Sequence, residues 1–125
     1  AGLRDVTVGL ETGLASLREE VGKRPDLARF VADVAAMKAA AVKVSVTVLV
    51  GLGGGSRAEA HRDATVAVLA SMPLDANDLV YLSPLRGSMP PDALTAEARL
   101  LRGALAGRTR ARAAAYPAEA FVARS

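Results

Sequence analysis

The chain has 125 residues, of which 51% are hydrophobic, and its 16 basic and 13 acidic side chains give a net charge of +3. This length fits one domain with a modest core, and the absence of cysteine excludes disulfides, thiolate zinc sites, a cysteine nucleophile and an iron–sulfur cluster bound by this chain. No apolar run reaches the roughly 18 residues of a membrane span, and no signal peptide is visible, so we expect a soluble cytoplasmic protein without a membrane partner. The basic excess is confined to residues 92–125, and the chain has few aromatic side chains that could stack on bases. We therefore expect no nucleic-acid partner.

The first predicted element is a strand over residues 4–10. Strand alternation places Thr7, Gly9 and Glu11 on one face. Glu11 follows the end of the strand, where parallel sheets and barrels bind their ligands. A carboxylate at this place accepts hydrogen bonds from an amine or from ribose hydroxyls, or serves as a base or a metal ligand. The alternative is an exposed carboxylate at the start of the next helix.

Two helices are predicted next. Residues 14–21 form a short helix that ends at Gly22, and Asp26 is the N-cap of a second helix. The second helix has an apolar stripe at helical spacing, formed by Leu27, Phe30, Val31, Val34 and Met37.

The strongest predicted strand covers residues 43–50 and has four valines on one face. Ser45 and Thr47 on the other face indicate a cavity or a partly wet lumen, or else hydroxyls that are satisfied inside a packed core. The strand runs into a glycine loop over residues 51–55, where a ligand can approach the backbone closely. The loop is equally well explained as a plain strand-to-helix turn, and it is not a P-loop because no lysine follows the glycines.

The next helix is predicted over residues 57–71, with Ser56 and Glu59 at capping-box spacing. His61 lies inside this helix, and a lone helical histidine is more often structural or solvated than catalytic. The chain has no second histidine for a zinc site and no Gly-x-Ser-x-Gly motif. We therefore assign no catalytic residue and no metal ligand.

A third strand is predicted over residues 78–82, followed by a last helix that Asp92 or Thr95 caps and that stops at Gly107. Long helical connections between strands predict an α/β fold with a three-stranded, mainly parallel βαβαβ sheet, flanking helices and a C-terminal helix.

Two regions are expected on this basis. Residues 1–91 hold the sheet, and residues 92–125 hold the last helix and an Arg- and Ala-rich tail. The apolar residues of the tail are expected to dock as a short strand; they are Tyr116, Phe121 and Val122.

Taken in order, the strand-end segments resemble the C-terminal half of a radical S-adenosylmethionine domain. The matching segments are Gly9-Leu10-Glu11-Thr12-Gly13, Leu17 to Gly22, the helix around Met37, Val48-Leu49-Val50-Gly51-Leu52-Gly53 and Leu79-Val80-Tyr81-Leu82-Ser83-Pro84. By this resemblance they correspond to the fourth, fifth and sixth strands of the family's partial (β/α)6 barrel, a half of a TIM-like barrel over roughly residues 3–85.

The resemblance implies a site for S-adenosylmethionine, which the family cleaves with a 4Fe–4S cluster to a 5′-deoxyadenosyl radical that abstracts a hydrogen atom. By position, Glu11 would lie near the ribose or the methionine moiety. Val50, Gly51 and Leu52 would support the adenine through backbone and apolar contacts. Ser83 would line the adenine side or the substrate cavity. The cofactor-binding residues implied are Glu11, Thr12, Val50, Gly51, Leu52, Gly53 and Ser83.

Three features depart from the family pattern. The usual Pro-Gly-Glu-Thr is replaced by Gly53-Gly54-Gly55-Ser56, and Ala41 stands where a helix-ending glycine is common. The CxxxCxxC loop and the first three strands are absent from this chain. The resemblance therefore implies a partner, the missing N-terminal half-barrel with its cluster, without which this chain is inactive.

Two other functions stay open. A small Rossmann-like module would bind NADP or another nucleotide through the glycine loop, with Ser83 and Arg86 holding the 2′-phosphate. A non-catalytic interaction domain would use the glycine loop only as a turn.

Overall fold

The computed structural model describes residues 5–115, which form a parallel β-sheet flanked by helices. The strands are β1 (Asp5–Glu11), β2 (Lys43–Val50), β3 (Leu79–Pro84) and β4 (Arg112–Ala115). The helices are α1 (Ala15–Glu20), α2 (Ala28–Ala39), α3 (Ala58–Ser71) and α4 (Pro91–Leu105). The strands pair in the order β1-β2-β3-β4, and every pair is parallel. The α/β class and the parallel sheet are thus confirmed.

The prediction of three strands was wrong, because β4 adds a fourth. This strand is mostly alanine, a residue with low strand propensity, so its sequence carries no strand signal. It pairs with β3 through the backbone, from Leu79 opposite Arg112 to Leu82 opposite Ala115. The residues expected to dock as a strand, Tyr116, Phe121 and Val122, lie outside the described residues.

One face of the sheet carries the core. The four valines of β2 are fully buried there and belong to one apolar cluster with side chains of the three longer helices. Those helix residues are Val34 of α2, Val66 and Leu69 of α3, and Leu94, Leu101 and Leu105 of α4. Because α4 contributes to the same cluster, residues 5–115 fold around one core that includes the first part of region 92–125.

The opposite face of the sheet is not covered by α2, α3 or α4. Its central residues, Ser45, Thr47 and Tyr81, are only partly buried, and Thr7 at the β1 edge is exposed. In consecutive, parallel strand order, right-handed crossovers place each connecting helix on the same side of the sheet. We call the side of the sheet opposite α2, α3 and α4 the open face.

The helix starts differ from the caps that the sequence predicted. Asp26 Oδ1 accepts a hydrogen bond from the backbone N–H of Ala28 at 2.9 Å, but the N-cap of α2 is Leu27, so the cap was predicted one residue too early. The capping box at Ser56 does not form, since a 3₁₀ turn over Gly55–Arg57 precedes α3 and no side chain caps that helix. The predicted caps of α4 were also wrong, because Pro91 occupies its first position, where a missing N–H costs nothing.

Within residues 5–115, no helix is both long enough and apolar enough to cross a membrane.

Candidate functional site

The carboxyl ends of β1, β2 and β3 form one rim of the sheet. β1 ends in Glu11, β2 runs into the glycine loop at residues 51–55, and β3 ends beside it at Ser83 and Pro84. The loops after β2 and β3 contact each other, because Ser88 packs against the side of Gly51 where a side chain would stand. The rim therefore brings together the three predicted segments that carry the candidate residues.

Glu11 has an unusual backbone. A register irregularity, or β-bulge, lies between Gly9 and Glu11, and Glu11 has a φ of 65°. The N–H of Thr12 donates to the carbonyl of Leu10 at 2.7 Å, which closes a three-residue turn around Glu11. This is the γ-turn with positive φ, the rarer and strained form. A non-glycine residue in such a conformation costs about 1–3 kcal/mol and is retained where surrounding contacts hold it.

The turn directs the Glu11 carboxylate onto the open face. One carboxylate oxygen of Glu11, Oε1, lies 3.1 Å from the position that a Cβ on Gly9 would occupy. Gly9 faces away from the core because its neighbour Leu10 is fully buried in the core. Within residues 5–115, no cation forms an ion pair with Glu11. Glu11 and Gly9 thus share a face, as predicted, although the bulge and not simple alternation produces it.

Lys23 is a second charged group at this place, and sequence reasoning missed it. Its Nζ donates to the carbonyl of Gly9 at 3.1 Å and lies 3.2 Å from the same Cβ position. Lys23 follows Gly22, whose φ of 79° turns the chain back from α1 toward β1. A basic residue next to the helix-ending glycine was the only sequence signal. A carboxylate and an ammonium group therefore stand over one glycine on the open face.

Arg18 holds the backbone at the rim through hydrogen bonds to two carbonyls. Its guanidinium donates to the carbonyls of Leu10 and Arg24, both at 2.7 Å, and lies 5.7 Å from the ring centre of Phe30. Burial lowers the pKa of Arg18, and the Glu11 carboxylate partly offsets this. An arginine remains protonated in such a setting, so Arg18 places a fixed positive charge near Glu11.

Thr12 is fully buried and turned away from the open face. Its hydroxyl lies 2.6 Å from Nδ1 of His61, and it accepts a hydrogen bond from the N–H of Leu14 at 3.0 Å. Both hydrogen-bonding directions of the hydroxyl are therefore in use inside the protein. Thr12 stays a predicted binding residue, but any direct contact with a ligand would come from its backbone.

His61 is almost completely buried, with 1% of its surface exposed. Its Nε2 lies 2.8 Å from the carbonyl oxygen of Leu49, which only accepts, so Nε2 carries the proton. Burial lowers the pKa of His61, which favours the neutral ring. Nδ1 is then an acceptor for the Thr12 hydroxyl. His61 thus ties the rim together and has no free ring nitrogen for acid–base chemistry.

Close packing against α3 explains why position 13 is a glycine. A Cβ at Gly13 would collide with the backbone of Ala64 and lie 2.8 Å from the Cα of Thr65. The N–H of Gly13 also donates to Oγ1 of Thr65 at 2.9 Å. Only glycine lets the turn after β1 approach α3 this closely.

The glycine loop presents backbone more than side chains. Gly51 and Gly53 have φ values of 89° and 88°, and the side chain of Leu17 lies 3.0 Å from where a Cβ on Gly53 would stand. Val50 points into the core, and its carbonyl accepts from the N–H of Leu85 at 2.9 Å. Leu52 is also buried, with 8% of its surface exposed.

The third strand brings one more predicted residue to the rim. Ser83 pairs in register with Leu49 and alternates with the buried Leu82, so it lies on the open-face side at the end of β3. Arg86 lies beyond it and is exposed.

The described residues 5–115 contain no group of three or more His, Cys, Asp or Glu side chains arranged to hold a metal ion. Comparison of the chain with protein-family models, with curated proteins and with solved structures gave no match.

Proposed function

We propose that this chain contributes the ribose and adenine side of an S-adenosylmethionine site in a radical S-adenosylmethionine enzyme. The observation that carries the proposal is the Glu11 carboxylate, which folds over Gly9 beside Lys23 at the carboxyl-end rim of a parallel sheet. This is the edge where parallel sheets and barrels hold their ligands.

The charges at the rim match the groups of this ligand. S-adenosylmethionine offers ribose hydroxyls and an ammonium as donors, and a carboxylate as an acceptor. An ionised Glu11 only accepts hydrogen bonds and Lys23 only donates them. The glycine loop with Gly51 and Gly53 would bring its backbone close to the adenine, next to Ser83. When bound and reduced, this cofactor supplies hydrogen-atom abstraction.

The cluster does not fit the residues of this chain. A 4Fe–4S cluster is held by cysteine thiolates, and the chain has no cysteine. Under the proposal, the cluster and the first strands of the barrel belong to a part of the enzyme outside this chain. Among residues 5–115, β1 is an edge strand, and an added parallel strand would continue the sheet there.

The strand order favours this proposal over the dinucleotide-binding one. Doubly wound folds bind nucleotides where the strand order reverses, and the order β1-β2-β3-β4 has no reversal within residues 5–115. Consecutive parallel strands with helices on one side are instead the arrangement of a barrel segment. The open face, with Ser45, Thr47 and Tyr81, would then line a lumen.

The test is a calorimetric titration of the encoded protein with S-adenosylmethionine under anaerobic conditions. We expect saturable binding in the wild type and about tenfold weaker binding in Glu11→Gln, equivalent to about 1.4 kcal/mol, since a neutral amide replaces a charged acceptor. Glu59→Gln is the matched control, because Glu59 is exposed on α3 and its loss should leave the affinity unchanged.

Two results would overturn the proposal. One is a wild type that binds NADP but not S-adenosylmethionine, which would favour the nucleotide-binding module. The other is a Glu11→Gln variant that binds S-adenosylmethionine as tightly as the wild type.

A further inference from the structure

We infer that Thr12 and His61 are positioning residues that hold Glu11 in its strained turn and so aim its carboxylate at the ligand. The inference rests on the proposed function only for the identity of that ligand. The positioning itself is a claim about the side chain and backbone of Glu11.

A continuous chain of hydrogen bonds connects the turn to the sheet. The N–H of Leu14 donates to the hydroxyl of Thr12, and that hydroxyl donates to Nδ1 of His61 at 2.6 Å. The other ring nitrogen of His61 donates to the carbonyl of Leu49 in β2 at 2.8 Å. The chain thus runs from the loop after β1, through α3, to the end of β2.

His61 donates a hydrogen bond to a β2 carbonyl on the side of β2 that faces β1. Carbonyls of successive strand residues point to opposite edges, and the carbonyl of Val50 bonds to Leu85 after β3. The carbonyl of Leu49 therefore points toward β1. The register of β1 ends with Glu11 opposite Val48, one residue before Leu49. His61 donates to the Leu49 carbonyl at the point where the pairing with β1 stops, so it compensates for the turn at Glu11.

Thr12 then fixes the residue next to Glu11. The γ-turn at Glu11 is closed by the N–H of Thr12, and the hydroxyl of the same residue is clamped by His61. Gly13, the following residue, donates its N–H to Thr65 and packs on the α3 backbone. Two consecutive anchors on α3 therefore hold a conformation that Glu11 does not adopt readily by itself.

The clamp requires a neutral His61, since a protonated Nδ1 cannot accept the hydrogen of Thr12. Thr65 Oγ1 lies 3.3 Å from the same nitrogen. The charged groups that act on His61 are Glu97 of α4 and Arg62 of α3, which bond to each other at 2.7 Å. Burial lowers the pKa of His61 and outweighs them, which keeps the clamp intact near neutral pH.

The test compares Thr12→Val, which keeps the shape of the side chain but removes the hydroxyl, with Thr12→Ser, which keeps the hydroxyl. Two nuclear magnetic resonance readouts report on Glu11 itself: its three-bond HN–Hα coupling, which depends on φ, and its side-chain carboxyl ¹³C shift. Glu59 is the internal reference. We expect Thr12→Val to change both readouts at Glu11 only, and Thr12→Ser to restore them.

Affinity for S-adenosylmethionine provides the link to function. We expect it to fall about tenfold in Thr12→Val and to recover in Thr12→Ser. If the wild type does not bind S-adenosylmethionine while Glu11 still responds to Thr12→Val, the proposed function fails and the positioning role stands. If Glu11 is unchanged in Thr12→Val, or Thr12→Ser does not restore it, the positioning role is refuted.

A second measurement serves if Thr12→Val does not fold. In the wild type, the ¹⁵N shifts of the His61 ring report its tautomer and its protonation. We expect Nε2 to carry the proton, and the Glu11 coupling to change at the pH where His61 titrates. A ring protonated on Nδ1 at neutral pH, or a Glu11 coupling that ignores the titration of His61, contradicts the inference.

Discussion

Two non-glycine residues hold a positive φ among residues 5–115: Glu11 at 65° and Ala41 at 62°. Their surroundings differ. Glu11 is followed by two residues anchored on α3, whereas Ala41 is exposed and follows the end of α2. Strain that neighbouring anchors hold in place at the proposed site supports a functional hypothesis. At Ala41 the same kind of strain only ends a helix.

The strain at Ala41 predicts a stabilising substitution. The N–H of Val42 bonds to Met37 at 2.9 Å and the N–H of Ala41 bonds to Lys38 at 3.0 Å, which is the Schellman pattern. The residue at this position of the motif is usually glycine because a Cβ is unfavourable there. We expect Ala41→Gly to raise the free energy of unfolding by about 1 kcal/mol, measured by urea denaturation.

The matched control is Ala39→Gly, two residues earlier at the last residue of α2. There the backbone is helical, and glycine should lower the stability by about 1 kcal/mol. Equal effects of the two substitutions would show that Ala41 is not strained in solution.

At the scale of elements, the sequence pattern predicted the strands whose residues alternate between apolar and polar. The valines of β2 alternate with Ser45 and Thr47, and this period of two was enough to find the strand and its buried face. β4 escaped because its residues Arg112–Ala115 have no such pattern, and only its pairing with β3 makes it a strand. Strand pairing is a tertiary interaction, and a run of alanines does not indicate which strand it will pair with.

The candidate site divides in the same way. The position of Glu11 at a strand end was predictable from the glycines around it. The bulge that redirects it, the return of Lys23 over Gly9 and the bond between Thr12 and His61 were not. The last of these joins residues 49 positions apart, and no spacing rule connects a loop after one strand with a helix after the next.

Asp78 holds together the opposite end of the sheet, where the strands begin. Its side chain is fully buried, and Oδ1 accepts from Lys38 Nζ at 2.8 Å and from the N–H of Val44 at 2.9 Å. Oδ2 accepts from the N–H of Asp75 at 2.7 Å, and the Asp78 carbonyl accepts from the N–H of Arg112. One residue thus connects α2 with the beginnings of β2, β3 and β4.

Asp78→Asn should therefore be strongly destabilising. An amide NH2 would face either a backbone N–H or the Lys38 ammonium, so a buried donor is left without an acceptor. We expect a loss of about 3 kcal/mol in the free energy of unfolding by urea denaturation. Asp33→Asn is the control, since Asp33 pairs with Arg29 on the surface of α2 and should change the stability by less than about 0.5 kcal/mol. Similar losses in both variants would contradict the role given to Asp78.

At the scale of the whole molecule, residues 5–115 pack α2, α3 and α4 on one face of the sheet. Parallel sheets are normally covered on both faces, and here α2, α3 and α4 account for only one. A sheet packed by helices on one face would fit as a segment of a larger barrel, which is the arrangement that the proposed function requires.

The stability of the whole molecule should depend on the protonation of His61. Burial lowers the pKa of His61 below its ordinary value of 6.5, so below pH 6.5 the unfolded chain binds a proton that the folded protein does not. The free energy of unfolding is then fully retained above pH 6.5 and falls as the pH drops below it, by at most about 1.4 kcal/mol per pH unit for one proton.

The carboxylates act in a lower range. Hydrogen bonds from Arg57 lower the pKa of Glu20 below 4.5, and hydrogen bonds from Asn77 and Lys38 lower that of Asp75 below 3.8. Their contributions to stability are therefore present above those values and are lost only at more acid pH. Between pH 5 and pH 6.5 the decline should belong to His61, which urea denaturation across that range measures. It should persist in Glu11→Gln and vanish in His61→Gln, because glutamine does not titrate. A decline that survives in His61→Gln would mean that another group is responsible.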